Sequence, residues 1–396
     1  MEKIKNIKAI QILNSRTAKT IQLEIETENF KAVAAIPHGK STGKYEASSF
    51  PAKEAIENIE NKIKPILIGK EPDFKVFDEE MIRLDGTNTK SNLGANAILA
   101  VSLATARLQA NIAGKSLYNF LSQFFSKNFQ TKKAGNPILL MNLINGGLHA
   151  AAGPEIQEYL ILVNEKSLKE SVNLGAEIYR KLGKILKCNI GDEGGYVPRE
   201  KDNEFPLEVI SKILKEKGVQ DKVGLGLDVA ASGFFENEKY KIGGKELSKN
   251  EFLDFYFKLT DKFDLKLIED PFSEDDPKSF GKLLLEKSKL IVVGDDLTVT
   301  NLERLKDAKE KNLISGIIVK VNQIGSLSET IDVINYAKKN GIKVIISHRS
   351  GETNDTFISD LAVGSGAWGL KTGAPARGER VAKYNRLIEI EEEKNN

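Results

Sequence analysis

VGLGLDVA (residues 223–230), LKLIEDPF (265–272) and KLIVVGDDL (289–297) are short apolar runs, and each of them leads into a carboxylate. They are rich in Val, Leu and Ile and are bounded by Gly, Pro or acidic residues, which is typical of buried strands. Segments with helical character, SKNEFLDFYFKLTDKF (248–263) and DPKSFGKLLLEKSK (276–289), lie between them. This alternation predicts consecutive βα units of a parallel sheet.

The carboxylates at the ends of these runs are Asp228, Glu269 and the pair Asp295–Asp296. If the sheet closes into a barrel, equivalent strand ends converge at one mouth, where the active sites of such barrels lie. Converging carboxylates repel one another unless a cation joins them, and a set of oxygen ligands suits Mg²⁺. The stretch therefore predicts a magnesium site at the mouth of a barrel.

Basic residues continue the series beyond the acidic ones. Lys320 lies within the next apolar run. The run after it ends in His348, Arg349 and Ser350, and a further run ends in Lys371. A divalent cation that faces lysines and an arginine suits an anionic substrate, and we predict a phosphorylated carboxylate. Taken singly, each residue could be a strand cap or part of a surface ion pair, but a common mouth explains the ordered series better.

Bulk composition limits the class of protein. A chain of 396 residues with 40% hydrophobic and 29% charged residues predicts two to three soluble domains, or one barrel with an appendage. A net charge of +2 gives no reason to expect binding to nucleic acid or to a membrane. The single cysteine, Cys188, cannot form an internal disulfide. We see no signal peptide or membrane span, so we expect a cytoplasmic protein.

The first part of the chain predicts an α+β module. IQLEIETE (21–28) alternates apolar and polar residues, and FKAVAAIP (30–37) follows a turn at Asn29, which indicates a hairpin with one buried face. Helical patterns follow, and the clearest runs through GANAILAVSLATARLQANIAG (94–114). Its many alanines indicate a buried helix in close contact with another element.

The polar stretch SKNFQTKKAGNP (126–137) is the predicted linker. We therefore expect an N-terminal domain over residues 1–125 and a barrel domain over residues 138–396. Within the first domain, the loop PHGKSTGKYEA (37–47) could close over an anion through its backbone N–H groups and the hydroxyl of Ser41 or Thr42. Read alone, this is a weak signal, and an ordinary surface loop explains the segment better.

The second domain opens with two apolar runs around a turn that contains His149, and Glu158 enters the second run. After a predicted helix, Asp192 and Glu193 stand between glycines in the segment CNIGDEGGYVP (188–198). An acidic pair held at a strand end is a candidate general acid, because close packing can push the two pKa values apart. An ordinary acidic turn explains this segment equally well on its own.

An ordered set of motifs spans nearly the whole chain: GANAILAVSLA, MNLINGGLHA, IQEY, GDEGGY, IEDPFSEDD, GDDLTVTN, VNQIGSLSET, ISHRSGET and KTGAPARGERVAKYN. Together they resemble the enolase family. The resemblance implies an α/β fold, an enolase-type (β/α)8 barrel with an N-terminal α+β domain that forms a lid. It also implies reversible dehydration of 2-phosphoglycerate to phosphoenolpyruvate, in glycolysis and gluconeogenesis.

The resemblance implies two Mg²⁺ ions in the active site. At matching motif positions, Asp228, Glu269 and Asp295 are expected to hold the first ion. Ser41, in the mobile loop, is expected to bind a second ion that arrives with substrate. The two ions would neutralise the charge of the enolate intermediate.

The resemblance also implies the groups that move protons. Lys320 is expected to remove the proton beside the substrate carboxylate, which requires neighbouring cations that lower its pKa. A lysine base that works beside Mg²⁺ is the known chemistry of the enolase superfamily. Glu193 is expected to protonate the departing hydroxyl, with Glu158 and His149 beside it in contact with substrate.

The substrate's anionic ends have their own expected partners. Arg349 would hold the phosphate as a bidentate clamp together with Ser350, next to His348. Lys371 would help to bind the substrate carboxylate. We also expect a homodimer or a higher homo-oligomer.

Two segments depart from the family pattern. The loop reads HGKSTG (38–43) where the family usually has SGASTG, and NSRTAKT (14–20) replaces DSRGNPT. Besides a working enolase, the sequence leaves open a superfamily member that acts on another acid, which the Arg349–Ser350 clamp disfavours. It also leaves open a non-catalytic binding or scaffold protein, which the altered N-terminal segments permit and the intact barrel residues disfavour.

Overall fold

An antiparallel sheet begins the fold. The computed structural model describes residues 2–39, 44–125, 136–150 and 153–395. The strands of the sheet are β1 (Asn6–Leu13), β2 (Lys19–Glu26) and β3 (Lys31–Ala35). β2 pairs with both neighbours, so the hairpin predicted around Asn29 is confirmed as β2–β3. The apolar residues of β2 alternate with polar ones, and the apolar set is buried.

Helices cover one face of this sheet. They are α1 (Ala52–Asn58), continued by a π-helical turn (Ile59–Ile63) into α2 (Lys64–Leu67), and then α3 (Phe74–Asp85), α4 (Ala95–Ile112) and α5 (Leu117–Ser122). The alanine-rich α4 is buried over most of its length, as predicted, because it lies against β2, β3 and α3. Most of the predicted linker 126–137 lies outside the described residues, so the domain boundary stays a prediction.

The remaining strands are β4 (Ile138–Asn145), β5 (Glu158–Val163), β6 (Val223–Asp228), β7 (Phe235–Glu236), β8 (Lys239–Ile242), β9 (Lys245–Ser248), β10 (Leu265–Glu269), β11 (Ile291–Gly294), β12 (Gly316–Val319), β13 (Lys343–Ser347) and β14 (Gly369–Lys371). Eight of them close into a barrel in the order β10-β11-β12-β13-β14-β4-β5-β6, and β7–β9 form a small separate sheet. The predicted barrel is therefore confirmed.

One strand of the barrel runs against the others. β5 is antiparallel to both β4 and β6, whereas all other neighbours in the barrel are parallel. The segment between β4 and β5 contains no crossover helix among its described residues, and two strands joined without such a helix pair antiparallel. The βα units predicted for residues 223–297 are parallel, and β5 lies outside that stretch. Because β5 is antiparallel to its neighbours, its first residue, Glu158, lies opposite Asn145 and Asp228 at the mouth.

Helices surround the barrel on its outside: α6 (Leu168–Leu186), α7 (Phe205–Lys217), α8 (Lys249–Phe263), α9 (Pro277–Glu286), α10 (Leu302–Glu310), α11 (Val321–Ile324), α12 (Leu327–Lys339), α13 (Phe357–Ser365) and α14 (Gly378–Asn395). The interior is filled by branched side chains from successive strands, which are Leu140, Leu160, Leu162, Leu267, Val293, Ile318 and Ile345. The barrel is thus a packed core, and its chemistry lies at the mouth. None of the helices in the described ranges is long and apolar enough to cross a membrane.

Buried charges join the first domain to the barrel. Arg107 on α4 donates to both carboxylate oxygens of Asp355, each at 2.6 Å. Lys90 is buried, and its Nζ lies 2.9 Å from a carboxylate oxygen of Glu329 on α12. On α3, Asp78 accepts the backbone N–H of Ser328 at 2.9 Å, close to the N-terminus of α12. These contacts join the first domain to the segments that follow β12 and β13 of the barrel.

Asp78 should make this interface sensitive to pH. Burial raises its pKa from 3.8 to about 7. Its protonated form therefore stabilises the fold at low pH, and this contribution is lost as the pH rises through about 7. Because asparagine stays neutral, we expect Asp78→Asn to increase the free energy of unfolding by about 1–3 kcal/mol near pH 8 and by much less near pH 5.

Urea denaturation at the two pH values measures this difference. Asp307→Asn, an exposed carboxylate on α10, is the control and should show no such dependence on pH. An equal effect of Asp78→Asn at both pH values would contradict a buried carboxyl that titrates near neutrality.

Candidate active site

The ends of the barrel strands bring the predicted polar residues together at one mouth. Asp228, Glu269 and Lys371 are the last residues of β6, β10 and β14. Asp295 and Lys320 follow directly after β11 and β12. At the end of a strand, a polar side chain can reach the mouth instead of packing in the apolar barrel wall. Each apolar run therefore ends at a polar residue.

The mouth contains a cavity of about 380 Å³. Its lining includes ten of the predicted site residues, namely His149, Glu158, Glu193, Asp228, Asp295, Lys320, His348, Arg349, Ser350 and Lys371. Glu269 is fully buried and does not line the cavity. Ser41 lies outside the described residues.

Lys371 lies among the carboxylates. Its Nζ is 2.7 Å from Asp228, 2.8 Å from Glu269 and 3.1 Å from Glu158. Burial lowers the pKa of Lys371, but these carboxylates outweigh burial and hold the pKa well above its ordinary value. One ammonium thus offsets part of the negative charge at this mouth.

The donor set fits a hard divalent cation. Asp228, Glu269 and Asp295 offer only oxygen, and Oε1 of Glu269 is buried without a hydrogen-bond partner among the described residues. A buried charged oxygen with no partner is costly unless a cation or a water satisfies it. One Asp295 oxygen contacts Lys320, and the other accepts from Gln323 at 3.0 Å.

A second acidic cluster shares Asp295. Carboxylate oxygens of Asp270, Asp295 and Asp296 lie within 4.8 Å of one another. Asp270 accepts the backbone N–H groups of Asp295 at 2.9 Å and of Asp296 at 2.8 Å. Burial, with Asp295 beside it, raises the pKa of Asp296 to about 7. The cluster 270/295/296 is therefore an alternative to the predicted ligands Asp228, Glu269 and Asp295, of which Asp228 and Glu269 contact the Lys371 ammonium.

Lys320 makes an ion pair with Asp295. Burial lowers the pKa of Lys320, but the neighbouring Asp295 carboxylate outweighs burial, so the pKa lies above its ordinary value. To act as a general base near neutral pH, Lys320 must be neutral, which requires a lowered pKa. Lys320 can therefore act as a base only when another cation pairs with the Asp295 carboxylate in its place.

Two glutamates and two histidines face each other across the mouth. Nδ1 of His149 lies 3.5 Å from Glu158 and 3.7 Å from Glu193, and Nε2 of His348 lies 3.4 Å from Glu193. Asn142 donates to Glu193 at 3.1 Å. Glu193 is thus the acid that most groups of this cluster contact.

The environments of the two glutamates push their pKa values apart. Burial, together with the negative charge of Glu193, raises the pKa of Glu158 well above its ordinary value. Burial also raises that of Glu193, but His149 and His348 outweigh it and hold the pKa well below the ordinary value. A divided pair of this kind is typical of acid–base sites.

The acidic pair Asp192–Glu193 does not act as a pair. Glu193 points into the mouth, whereas Asp192 makes an ion pair with Arg16 of the first domain. Both lie in a loop between α6 and α7, so the prediction of a strand end is wrong here. The loop is tied to the barrel by hydrogen bonds such as Tyr196 N–H to Leu143 at 2.8 Å.

Arg349 is engaged by a carboxylate of the first domain. Its two terminal nitrogens donate to the two oxygens of Glu46, at 2.9 and 3.1 Å, and one of them also donates to Asn322 at 3.0 Å. Gly39 lies against the guanidinium, because a Cβ there would fall 1.9 Å from Arg349 Nη2. The geometry is that of a bidentate anion clamp.

Several polar residues at the mouth were not predicted from the sequence. Asn142 could have been found, because a single Asn within the apolar run ILLMNLIN signals a buried polar role. Asp270 follows Glu269 directly and has the same local signal. Glu46 and Gln323 have no local signal, since their roles depend on contacts with distant segments.

Known proteins match the chain along nearly its whole length. Residues 4–121 match the family described as "Enolase, N-terminal domain", and residues 134–396 match "Enolase, C-terminal TIM barrel domain". The protein named Enolase of Methanocaldococcus jannaschii is 42% identical over 410 residues, which cover 98% of this chain and 95% of that protein. Enolase of Sulfurisphaera tokodaii is 42% identical over 408 residues, with the same coverage, and Enolase of Ureaplasma parvum is 42% identical over 424 residues, with 99% and 96% covered. The chain belongs to the enolase family.

Proposed function

We propose that this chain is a phosphopyruvate hydratase, a lyase that reversibly dehydrates 2-phosphoglycerate to phosphoenolpyruvate in glycolysis and gluconeogenesis. The observation that carries the proposal is the cavity mouth at which carboxylates, Lys320, two histidines and Arg349 meet. An acid cluster suits a metal, a lysine suits proton abstraction, and a guanidinium suits phosphate. Family membership and this mouth point to the same chemistry.

Asp228, Glu269 and Asp295 are the proposed ligands of the first Mg²⁺, and Ser41 is the proposed ligand of the second. Bound divalent cations would supply electrostatic stabilisation of the negative charge that develops on the substrate carboxylate. The buried Glu269 oxygen, which has no partner in the described part of the chain, supports the first assignment. The assignment of Ser41 rests on the sequence resemblance alone.

Lys320 is the proposed base for the C2 proton, and the proposed acid is the Glu158–Glu193 pair. By motif position Glu193 delivers the proton to the departing hydroxyl. Burial and the negative charge of Glu193 raise the pKa of Glu158, so of the two glutamates it holds a proton more readily. His149 Nδ1 lies 3.5 Å from Glu158 and 3.7 Å from Glu193, beside both members of the pair.

Arg349 and Ser350 are the proposed phosphate partners, beside His348, and Lys371 is the proposed partner of the substrate carboxylate. Glu46 then stands where an anion would bind, because its carboxylate takes both terminal nitrogens of Arg349. Phosphate must therefore displace Glu46 or share the guanidinium with it.

We expect Glu46→Gln to tighten phosphoenolpyruvate binding by roughly tenfold, about 1.4 kcal/mol, because a neutral amide competes less well for the guanidinium. Isothermal titration calorimetry measures this affinity. Glu303→Gln, an exposed change on α10, is the control. Weaker binding by Glu46→Gln would mean that Glu46 orients Arg349 instead of competing for it.

The function is tested by following the absorbance of phosphoenolpyruvate formed from 2-phosphoglycerate, with Mg²⁺ and with a chelator. Turnover that requires Mg²⁺ supports the proposal. A folded protein that binds phosphoenolpyruvate without turnover would favour the scaffold alternative, and one that binds neither compound would favour a different acid.

The proposal includes a cytoplasmic location and a homodimer or higher homo-oligomer. The outer face of the first sheet exposes Ile10 and Val33, with 43% and 37% of their surface accessible, and Leu13 at the end of β1 is 63% exposed. Exposed apolar side chains on a sheet suit burial against another subunit. Sedimentation velocity measures the assembly directly.

A further inference from the structure

Arg380 on α14 lies behind the wall of the mouth. It is fully buried and does not line the cavity. Its Nη1 lies 2.8 Å from Nδ1 of His348 and donates to the Arg349 carbonyl at 2.7 Å. Its Nη2 donates to the Ser350 carbonyl at 2.7 Å. One side chain thus contacts every residue of the segment proposed to surround the phosphate.

The contact with His348 determines the protonation of the ring. A guanidinium has only donors and keeps its charge at any pH at which the protein is folded. Nδ1 of His348 must therefore accept, so the ring proton resides on Nε2. That nitrogen lies 3.4 Å from Glu193, towards which it directs a donor. A doubly protonated ring would set two donors against each other at Nδ1.

We propose that Arg380 is a positioning residue that holds His348 as the neutral Nε2–H tautomer and so aims a hydrogen-bond donor at the Glu193 carboxylate. Arg380 acts through His348 and touches neither the cavity nor the reacting atoms. The effect of Arg380 on catalysis rests on the proposed roles of Glu193 and His348. The tautomer of the His348 ring is independent of those roles.

The other charged groups around His348 agree with this assignment. Burial, assisted by Arg380, lowers the pKa of His348 to about 4, although Glu193 and Glu352 oppose the shift. Glu352 is itself held by Lys383, whose Nζ lies 2.8 Å away. The backbone N–H of His348 donates to the Lys371 carbonyl at 3.0 Å, which fixes the residue from the β14 side.

Nitrogen-15 NMR of histidine-labelled full-length protein tests the proposal, because the chain has only three histidines. His348→Gln assigns the signal. In the wild type without substrate we expect an unprotonated Nδ1, a protonated Nε2 and no titration of His348 between about pH 5 and about pH 8. A ring protonated on Nδ1, or one that titrates in this range, would overturn the proposal even if Arg380→Met does not fold.

Arg380→Met removes the donor and keeps an apolar stem. We expect the pKa of His348 to rise by about one unit or more in this variant, or its tautomers to mix. Arg386→Met, on the same helix but paired with Asp360, should leave the His348 signal unchanged. An unchanged His348 signal in folded Arg380→Met would also overturn the proposal.

Kinetics separates a positioning role from a merely structural one. For Arg380→Met we expect kcat to fall more steeply below about pH 6 than in the wild type, because a protonated His348 alters the charge beside Glu193. A uniform loss at all pH values would contradict the predicted link to His348. If the protein does not turn over 2-phosphoglycerate at all, the proposed function fails, but the NMR result still decides the state of His348.

Discussion

Replacement of Lys320 by alanine is expected to abolish exchange of the substrate's C2 proton with solvent and to slow dehydration by about 10³-fold or more. The side chain is at the mouth, next to Asp295, and it is mostly buried. Alanine there removes the proposed base. Proton NMR of 2-phosphoglycerate in deuterated solvent measures the exchange separately from the loss of the hydroxyl.

Two further variants make this result specific. Lys311→Ala, an exposed lysine just after α10 that pairs with Asp307, should exchange at the wild-type rate. Glu193→Gln should block loss of the hydroxyl yet retain some exchange, because the base is intact. If Lys320→Ala exchanged the proton and Glu193→Gln did not, the two assignments would have to be reversed.

Replacement of Glu269 by glutamine is expected to lower the affinity for Mg²⁺ by roughly 10–100-fold or more. Loss of a hydrogen-bond partner outside the ligand shell already costs that much, and this change alters a proposed ligand itself. Glu269 belongs only to the proposed ligand set, and one of its buried oxygens has no partner among the residues described. Glutamine keeps the shape and removes one negative charge. Isothermal titration calorimetry with Mg²⁺ measures the affinity without turnover.

Asp296→Asn is the matched comparison, because Asp296 belongs only to the alternative cluster 270/295/296. We expect this variant to bind Mg²⁺ nearly as the wild type does. Circular dichroism checks that both variants are folded. Intact affinity in Glu269→Gln together with weak binding in Asp296→Asn would move the site to the alternative cluster.

Strand ends were predictable because they are encoded locally. An apolar run that buries its side chains must stop where a charged residue begins, and this boundary is visible in the sequence. Asp228, Glu269 and Lys371 were therefore predicted at strand ends, where the structure has them. The alternation of such runs with helices predicted a parallel sheet of βα units, and the resemblance of the motifs implied the enolase-type barrel.

The direction of a strand relative to its neighbours has no such local signal in the sequence. Nothing in the apolar run of β5 distinguishes a parallel from an antiparallel neighbour, so the place of Glu158 at the mouth depended on the closed barrel. Glu193 is similar, because its loop reaches the mouth through hydrogen bonds to β4 and not through its own pattern.

The sequence by itself thus determined which residue types stand at the barrel ends, and its motifs pointed to the enolase family. Only the tertiary structure decided which charged groups pair: Lys371 with Asp228, Glu46 with Arg349, and Arg380 with His348. Each of these pairs joins residues far apart in the chain. The strength of a charge–charge contact depends on separation and burial, and both are set only when the chain has folded.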